Sequence, residues 1–118
     1  MKAPIIKIGN WIILGKHTIG MTLYPFIFLK KSFFETRPDY LELCIRHESI
    51  HIEQQKELFV VFFYLWYVTE YLIRLLTSFN PTTAYNNISF EREAYENEND
   101  LNYLQTRKRW NFLRYIYT

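Results

Sequence analysis

The sequence holds a single cysteine, Cys44, so no intramolecular disulfide can form, which fits a reducing compartment. Charge of one sign is also scarce. A formal net charge of +2 is too weak for the dense basic face that nucleic-acid binding requires, so no nucleic-acid partner is expected. No internal repeat, low-complexity tract or linker breaks the 118 residues, and that length suits one domain, 1–118, with one modest core. Pro4, Lys7 and Asn10 interrupt any apolar run at the N-terminus. No signal peptide is expected, and the location expected is cytoplasmic or membrane-associated. Glycine and proline are missing from Asp39 to Asn80. That stretch is too long for one comfortable helix in so small a domain, so it predicts two helices, or one sharply bent, with the change near Leu58 to Phe62.

Aromatic residues are abundant instead: ten Tyr, ten Phe and three Trp make up 19% of the chain, and they must pack in a core or face a membrane or partner. The pattern predicts an α+β fold, mainly helical, with a small N-terminal β-sheet or hairpin. Residues 5–14 read as short β structure, with a possible turn at Gly9-Asn10 and a strand at Trp11–Leu14. Residues 21–29 read as a second strand, at an edge or bulged because Pro25 cannot donate to a ladder. Pro38 suggests the first turn of a helix, with Thr36 as a possible cap and Asp39 at its positive end. Residues 78–83 read as a loop; Asn87 or Ser89 could cap a helix from about Phe90 to Gln105, and a last helical stretch is expected around Trp110 to Tyr117. Five acids in residues 91–100 and four bases with no acid in 107–114 predict either two solvated faces or a basic end on anionic lipid.

The chemistry lies in His47-Glu48-Ser49-Ile50-His51. Residues four apart share a helix face, so two imidazoles at i and i+4 can reach one ion. Glu48 then sits beside the metal, where it can take a proton from water. Leu41, Cys44, Ile45, Ile50 and Leu58 supply apolar positions that seat the helix. Zinc accepts imidazole and carboxylate, and a catalytic site needs a third protein ligand with one position open. Glu91 and Glu93 are both candidates; two apart on a helix, they point in different directions, so only one should face the metal. A solvated face with incidental histidines is the competing reading. Cys44, three residues before His47, reads as a small buried residue or as a fourth ligand.

His47 to Gln55 resembles the His-Glu-x-x-His-x-x-Gln-Gln helix of predicted bacterial zinc-peptidase domains of the zincin type. Glu91-Arg92-Glu93-Ala94-Tyr95 is similar to the Glu-x-x-Ala-Asp element that supplies the glutamate ligand in gluzincins, including membrane-embedded ones. The resemblance covers roughly residues 10–105. It implies a zinc metallopeptidase that hydrolyses peptide or protein substrates, with His47, His51 and Glu91 as metal ligands, Glu48 as catalytic base and Ala94 allowing close helix packing. It also implies a strand around Thr22 to Leu29 above the cleft, able to pair with an extended substrate. Tyr95 departs from the pattern: Asp is usual there and supports a histidine ligand through its second ring nitrogen. Tyr85, Tyr95 or His17 are candidate extra donors, and His17 also reads as an ordinary loop histidine.

Leu58 to Val68 carries no charge, and with the run to Leu76 the apolar-rich stretch 58–76 reaches a membrane-spanning length. Glu70 and Arg74 inside it form a good i, i+4 pair. Two readings stand: a buried core helix, or a helix that associates with a membrane, favoured by the Trp and Tyr content and the basic aromatic tail. The functions in competition are therefore a zinc peptidase, a non-catalytic metal-stabilised binding scaffold, and a membrane-associated protein with incidental histidines.

Overall fold

The computed structural model describes residues 3–11, 14 and 18–116. The fold is α+β and mainly helical, as the sequence predicts. Three strands, β1 (Ile5–Gly9), β2 (Gly20–Leu23) and β3 (Phe26–Lys30), form one sheet in the order β1-β3-β2. β1 runs parallel to β3, and β2 antiparallel to it. The single strand expected over 21–29 is thus a hairpin. Tyr24-Pro25, joined by a cis peptide bond, makes its turn, so Pro25 sits where no ladder donor is needed. The strand expected at Trp11–Leu14 does not form as read: Trp11 lies beyond the end of β1, and Leu14 is buried in a helical turn. Ile12 and Ile13 lie outside the described residues.

Helix α1 (Lys31–Thr36) follows β3 directly, earlier than the Pro38 signal. Thr36 does not cap the next helix; its hydroxyl donates to the Phe33 carbonyl at 2.9 Å. Pro38 opens a 3₁₀ turn, Pro38–Tyr40, whose fixed φ leads into α2 (Leu41–Ser78). α2 breaks once, at Phe59 (φ 60°, ψ 155°), inside the window expected from the uninterrupted 39–80 stretch. That conformation is strained for a residue with a Cβ, by about 1–3 kcal/mol. It turns residues 60–78 back across the cleft instead of prolonging the line of 41–58. Phe79, in the left-handed region, ends α2 by donating its N–H to the Leu75 carbonyl.

The expected loop at 78–83 is shorter than read. Asn80 accepts from the Thr83 N–H at 3.1 Å and Pro81 starts α3 (Pro81–Asn86). The helix expected over 90–105 is split into α4 (Ser89–Asn97) and α5 (Tyr103–Thr106), and the last helical stretch is a 3₁₀ segment, Asn111–Tyr115.

Part of the aromatic surplus goes into the core between α2, α4 and the C-terminal segment, and part stays exposed. Leu58, Phe63, Ile88, Phe90 and Phe112 cluster there with Trp66 and Tyr67 against them. Phe90 lies 4.5 Å from the Phe63 ring and 4.7 Å from the Phe112 ring, centroid to centroid. Burying each such side chain is worth about 1.5–3 kcal/mol. A second cluster, Ile27, Leu29, Phe34 and Ile52, joins the sheet to α2, with Cys44 and Ile45 packed on it. Ile50, fully buried Ala94 and Tyr103 join α2 to α4. By length and composition the helical stretch Pro38–Ser78 is apolar enough to cross a membrane, and its most apolar window is mostly exposed.

Candidate metal centre

Residues 47–51 lie in the straight part of α2, so both imidazoles project from one face toward α4. There His47 Nε2 and Glu91 Oε1 are 3.0 Å apart, His51 Nε2 and the same oxygen 3.2 Å, and the two nitrogens 3.3 Å. Ligand atoms about 2.0–2.1 Å from a tetrahedral ion lie about 3.3–3.4 Å from one another. The triangle therefore has close to the spacing, and the donor set has the chemistry, that a zinc ion accepts. Glu48 also lies near both rings, within 4.8 Å, but its Oε2 stands 4.0 Å from His47 Nε2. Glu91 is thus the carboxylate placed to ligate, with Glu48 beside the ligand triangle.

The network behind the triangle orients each member. Gln54 donates from Nε2 to the Phe90 carbonyl (3.2 Å) and to Glu93 Oε1 (2.9 Å). Both partners only accept, so Gln54 Oε1 must face His51 Nδ1, at 2.7 Å, and accept its proton. In the neutral ring that leaves the lone pair of His51 on Nε2, in the triangle; without a metal, burial opposes charge on the ring but Glu91 outweighs it and favours a proton there. His47 is set likewise: its Nδ1 donates to Glu98 Oε2 at 2.7 Å. Glu98 follows Glu91 by seven residues, two helical turns, and so shares its face. It provides the support for a histidine ring that the pattern assigns to position 95. Tyr95 instead lays its ring against His47, 4.5 Å between centroids. Arg46 donates to the Glu98 carbonyl at 2.7 Å and pins the end of α4. Glu98→Gln, which weakens that support, is expected to lower zinc affinity about 10–100-fold, measured by competition with a chromophoric chelator.

Glu93, the other candidate ligand, faces away. It is fully buried and accepts from Arg107 Nε (2.5 Å), Tyr103 Oη (2.5 Å) and Gln54. Arg107 also forks onto both Glu57 oxygens at 2.9 and 3.0 Å. Tyr67 donates to Glu91 Oε2 at 2.6 Å, which occupies that oxygen and keeps Oε1 for the triangle. α4 has no cap of its own; Glu70 from α2 accepts from the Ser89 N–H and Oγ, both at 2.7 Å. A carboxylate at the positive end of the helix that bears Glu91 stabilises it there.

Glu48 is held by the sheet. Its Oε1 accepts from Thr22 Oγ1 at 2.8 Å. Gln55 spans the same join: its Nε2 donates to the Thr22 carbonyl and its Oε1 accepts from the Tyr24 N–H, at 2.9 and 2.7 Å. Tyr64 donates to the Thr22 carbonyl as well. Lys30 N–H donates to Ile19 O, so Met21 and Leu23 bond to β3 in the alternating ladder. Gly20 and Thr22 then turn their peptide groups to the edge away from β3. The Thr22 carbonyl is taken by α2, and Gly20 remains beside Glu48, where an added Cβ would lie 3.6 Å from the Glu48 carboxyl carbon and 3.2 Å from Leu29.

These groups line one cleft of about 750 Å³, walled by β2, Tyr64, Tyr85 and Tyr95. Burial opposes charge on His47, but the hydrogen bonds its ring donates to the Glu91 and Glu98 carboxylates outweigh it and lift its pKa to about 10. Burial likewise opposes charge on Glu91, and the two imidazoles outweigh it and hold its carboxyl below the usual range. Cys44 faces the cleft as well, yet burial pushes its thiol up to about 11 and it packs on the sheet cluster, as a structural residue does. His17 lies outside the described residues. Compared with protein-family models, curated proteins and solved structures, the chain matches none.

The two glutamines, Glu98 and Glu70 were not assigned these roles from the sequence. The Gln-Gln pair was visible as part of the motif. Its signal was spacing: residues 54 and 55 follow His51 by three and four, on its side of the helix.

Proposed function

We propose that the chain is a zinc-dependent peptidase, with His47, His51 and Glu91 as ligands and Glu48 as general base. The observation that carries this reading is the triangle of ligand atoms at tetrahedral spacing with a separate carboxylate beside it, at an open strand edge. A zinc ion bound there supplies a Lewis acid that polarises a substrate carbonyl and acidifies water. Glu48, kept out of the triangle by Thr22, takes the proton from the attacking water and returns it to the leaving amine. Gly20 offers peptide N–H and C=O groups to an extended substrate without a side chain that would cover Glu48. The Tyr85 and Tyr95 phenols line the same cleft; burial pushes both up, so they remain protonated donors for a developing oxyanion.

The test is metal content per chain by elemental analysis, for wild type, His51→Ala and Glu91→Gln, followed by hydrolysis of a dye-labelled unfolded protein. The expected result is about one zinc in the wild type, lost in both variants, with hydrolysis following the metal. A well-folded wild type that takes up no zinc on reloading would refute the reading. Zinc without hydrolysis would leave a metal-stabilised scaffold.

A further inference from the structure

The half of α2 that follows Phe59 turns its charges inward and its apolar side chains outward. Its charged residues are Glu70 and Arg74 alone. Glu70 is buried against Ser89 and Trp66, and Arg74 bonds to Glu70 and to the Ile116 carbonyl. The opposite face, one residue in three or four, is Val61, Leu65, Val68, Leu72 and Leu76, with Thr69 as its polar member. Val61 is 68% exposed, Leu65 59% and Leu76 71%; Phe62 and Ile73 widen the stripe on one side. A helix facing water carries polar residues there, and this stripe runs for about 22 Å. Apolar surface of this extent on a folded chain marks a contact site.

The segment packed along this helix indicates the occupant of the stripe. The C-terminal segment runs alongside the helix: the Trp110 N–H donates to Glu57, Phe112 packs on Trp66, and the Ile116 carbonyl meets Arg74. From Leu101 to Thr118 the chain has no acid, while Lys108, Arg109 and Arg114 are exposed. An exposed apolar stripe on a helix that has an acid-free segment with three exposed bases packed along it suits acyl chains beside anionic headgroups. The inner face packs on α3 and α4 and bonds Ser89 through Glu70, and the outer stripe is exposed among the described residues. We propose that this face docks on an anionic membrane surface, with residues 60–78 lying along the interface and the cleft opening beside it. This goes beyond the peptidase reading and does not depend on a metal.

The full chain is mixed with vesicles of phosphatidylcholine alone, or of phosphatidylcholine with phosphatidylserine, and sedimented. Binding to the mixed vesicles is expected. Lys108→Gln and Arg109→Gln should each lower partitioning about five-fold. Leu72→Asp with Leu76→Asp should lower it more than about tenfold on either vesicle. Circular dichroism checks the fold, and the milder Leu65→Ser with Leu76→Ser stands in should the aspartates perturb it. Wild type that stays in the supernatant with both vesicles overturns the proposal. So does a dimer, measured by light scattering, that Leu72→Asp dissociates while vesicles are ignored; that result assigns the face to a second copy.

Discussion

Glu48→Gln is expected to keep its zinc and to hydrolyse peptides at least about a hundredfold more slowly than wild type. The amide has the shape of the carboxylate, and its oxygen can still accept from Thr22 Oγ1, now at 2.8 Å from Glu48 Oε1. What it loses is basicity. The proposed ligand triangle should be untouched, because Glu48 Oε2 stands 4.0 Å from His47 Nε2, whereas Glu91 Oε1, the third ligand in the proposal, is 3.0 Å from that nitrogen. Zinc per chain and turnover are measured on the same sample. Wild-type turnover in this variant would remove Glu48 from the chemistry. A variant that loses zinc together with activity would make Glu48 a ligand.

Glu93→Ala should lower unfolding free energy by about 3–5 kcal/mol, a large share of the roughly 5–15 kcal/mol that holds small domains together. Glu93 is fully buried, and three partners lose their acceptor at once: Arg107, Tyr103 and Gln54. Arg107 keeps Glu57, but its Nε is left buried without a partner. Urea denaturation followed by circular dichroism measures the loss. Glu91→Gln provides the contrast, since it should abolish zinc uptake with a much smaller change in urea midpoint. If Glu93→Ala were as stable as wild type and lacked zinc while Glu91→Gln retained it, the assignment of the two carboxylates would be reversed. A smaller effect on zinc affinity is expected in Glu93→Ala as well, because Gln54 then loses one of the two bonds that aim its carbonyl at His51 and keeps the one to the Phe90 carbonyl.

The helical period alone puts His47 and His51 on one face with Glu48 beside them, and that much was legible from five residues. The absence of glycine and proline from Asp39 to Asn80 made a break necessary, and it falls at Phe59. The mainly helical α+β class followed from the same patterning. Spacing alone let only one of Glu91 and Glu93 face the histidines without choosing between them; only the resemblance pointed to Glu91. Which one faces the histidines depends on the rotation of α4 about its axis, which the packing of fully buried Phe90 and Ala94 on α2 sets. The hairpin was read as one strand because Met21 to Leu29 is apolar throughout apart from Thr22, and composition does not show the turn that a cis Tyr24-Pro25 bond makes.

The partners that aim the site join residues far apart in sequence: Glu98 is 51 residues from His47, Arg107 is 50 from Glu57, and Glu70 is 19 from Ser89. No local pattern encodes such pairs. A buried polar group takes whichever partner the packed elements bring within hydrogen-bond reach, because leaving it without one costs more than any local preference supplies. The sequence by itself determined which residues have the chemistry proposed for metal binding and water activation. The packing of α4 and β2 against α2 decided which carboxylate meets the two histidines, which one is held beside them by Thr22, and which one is buried among Arg107, Tyr103 and Gln54.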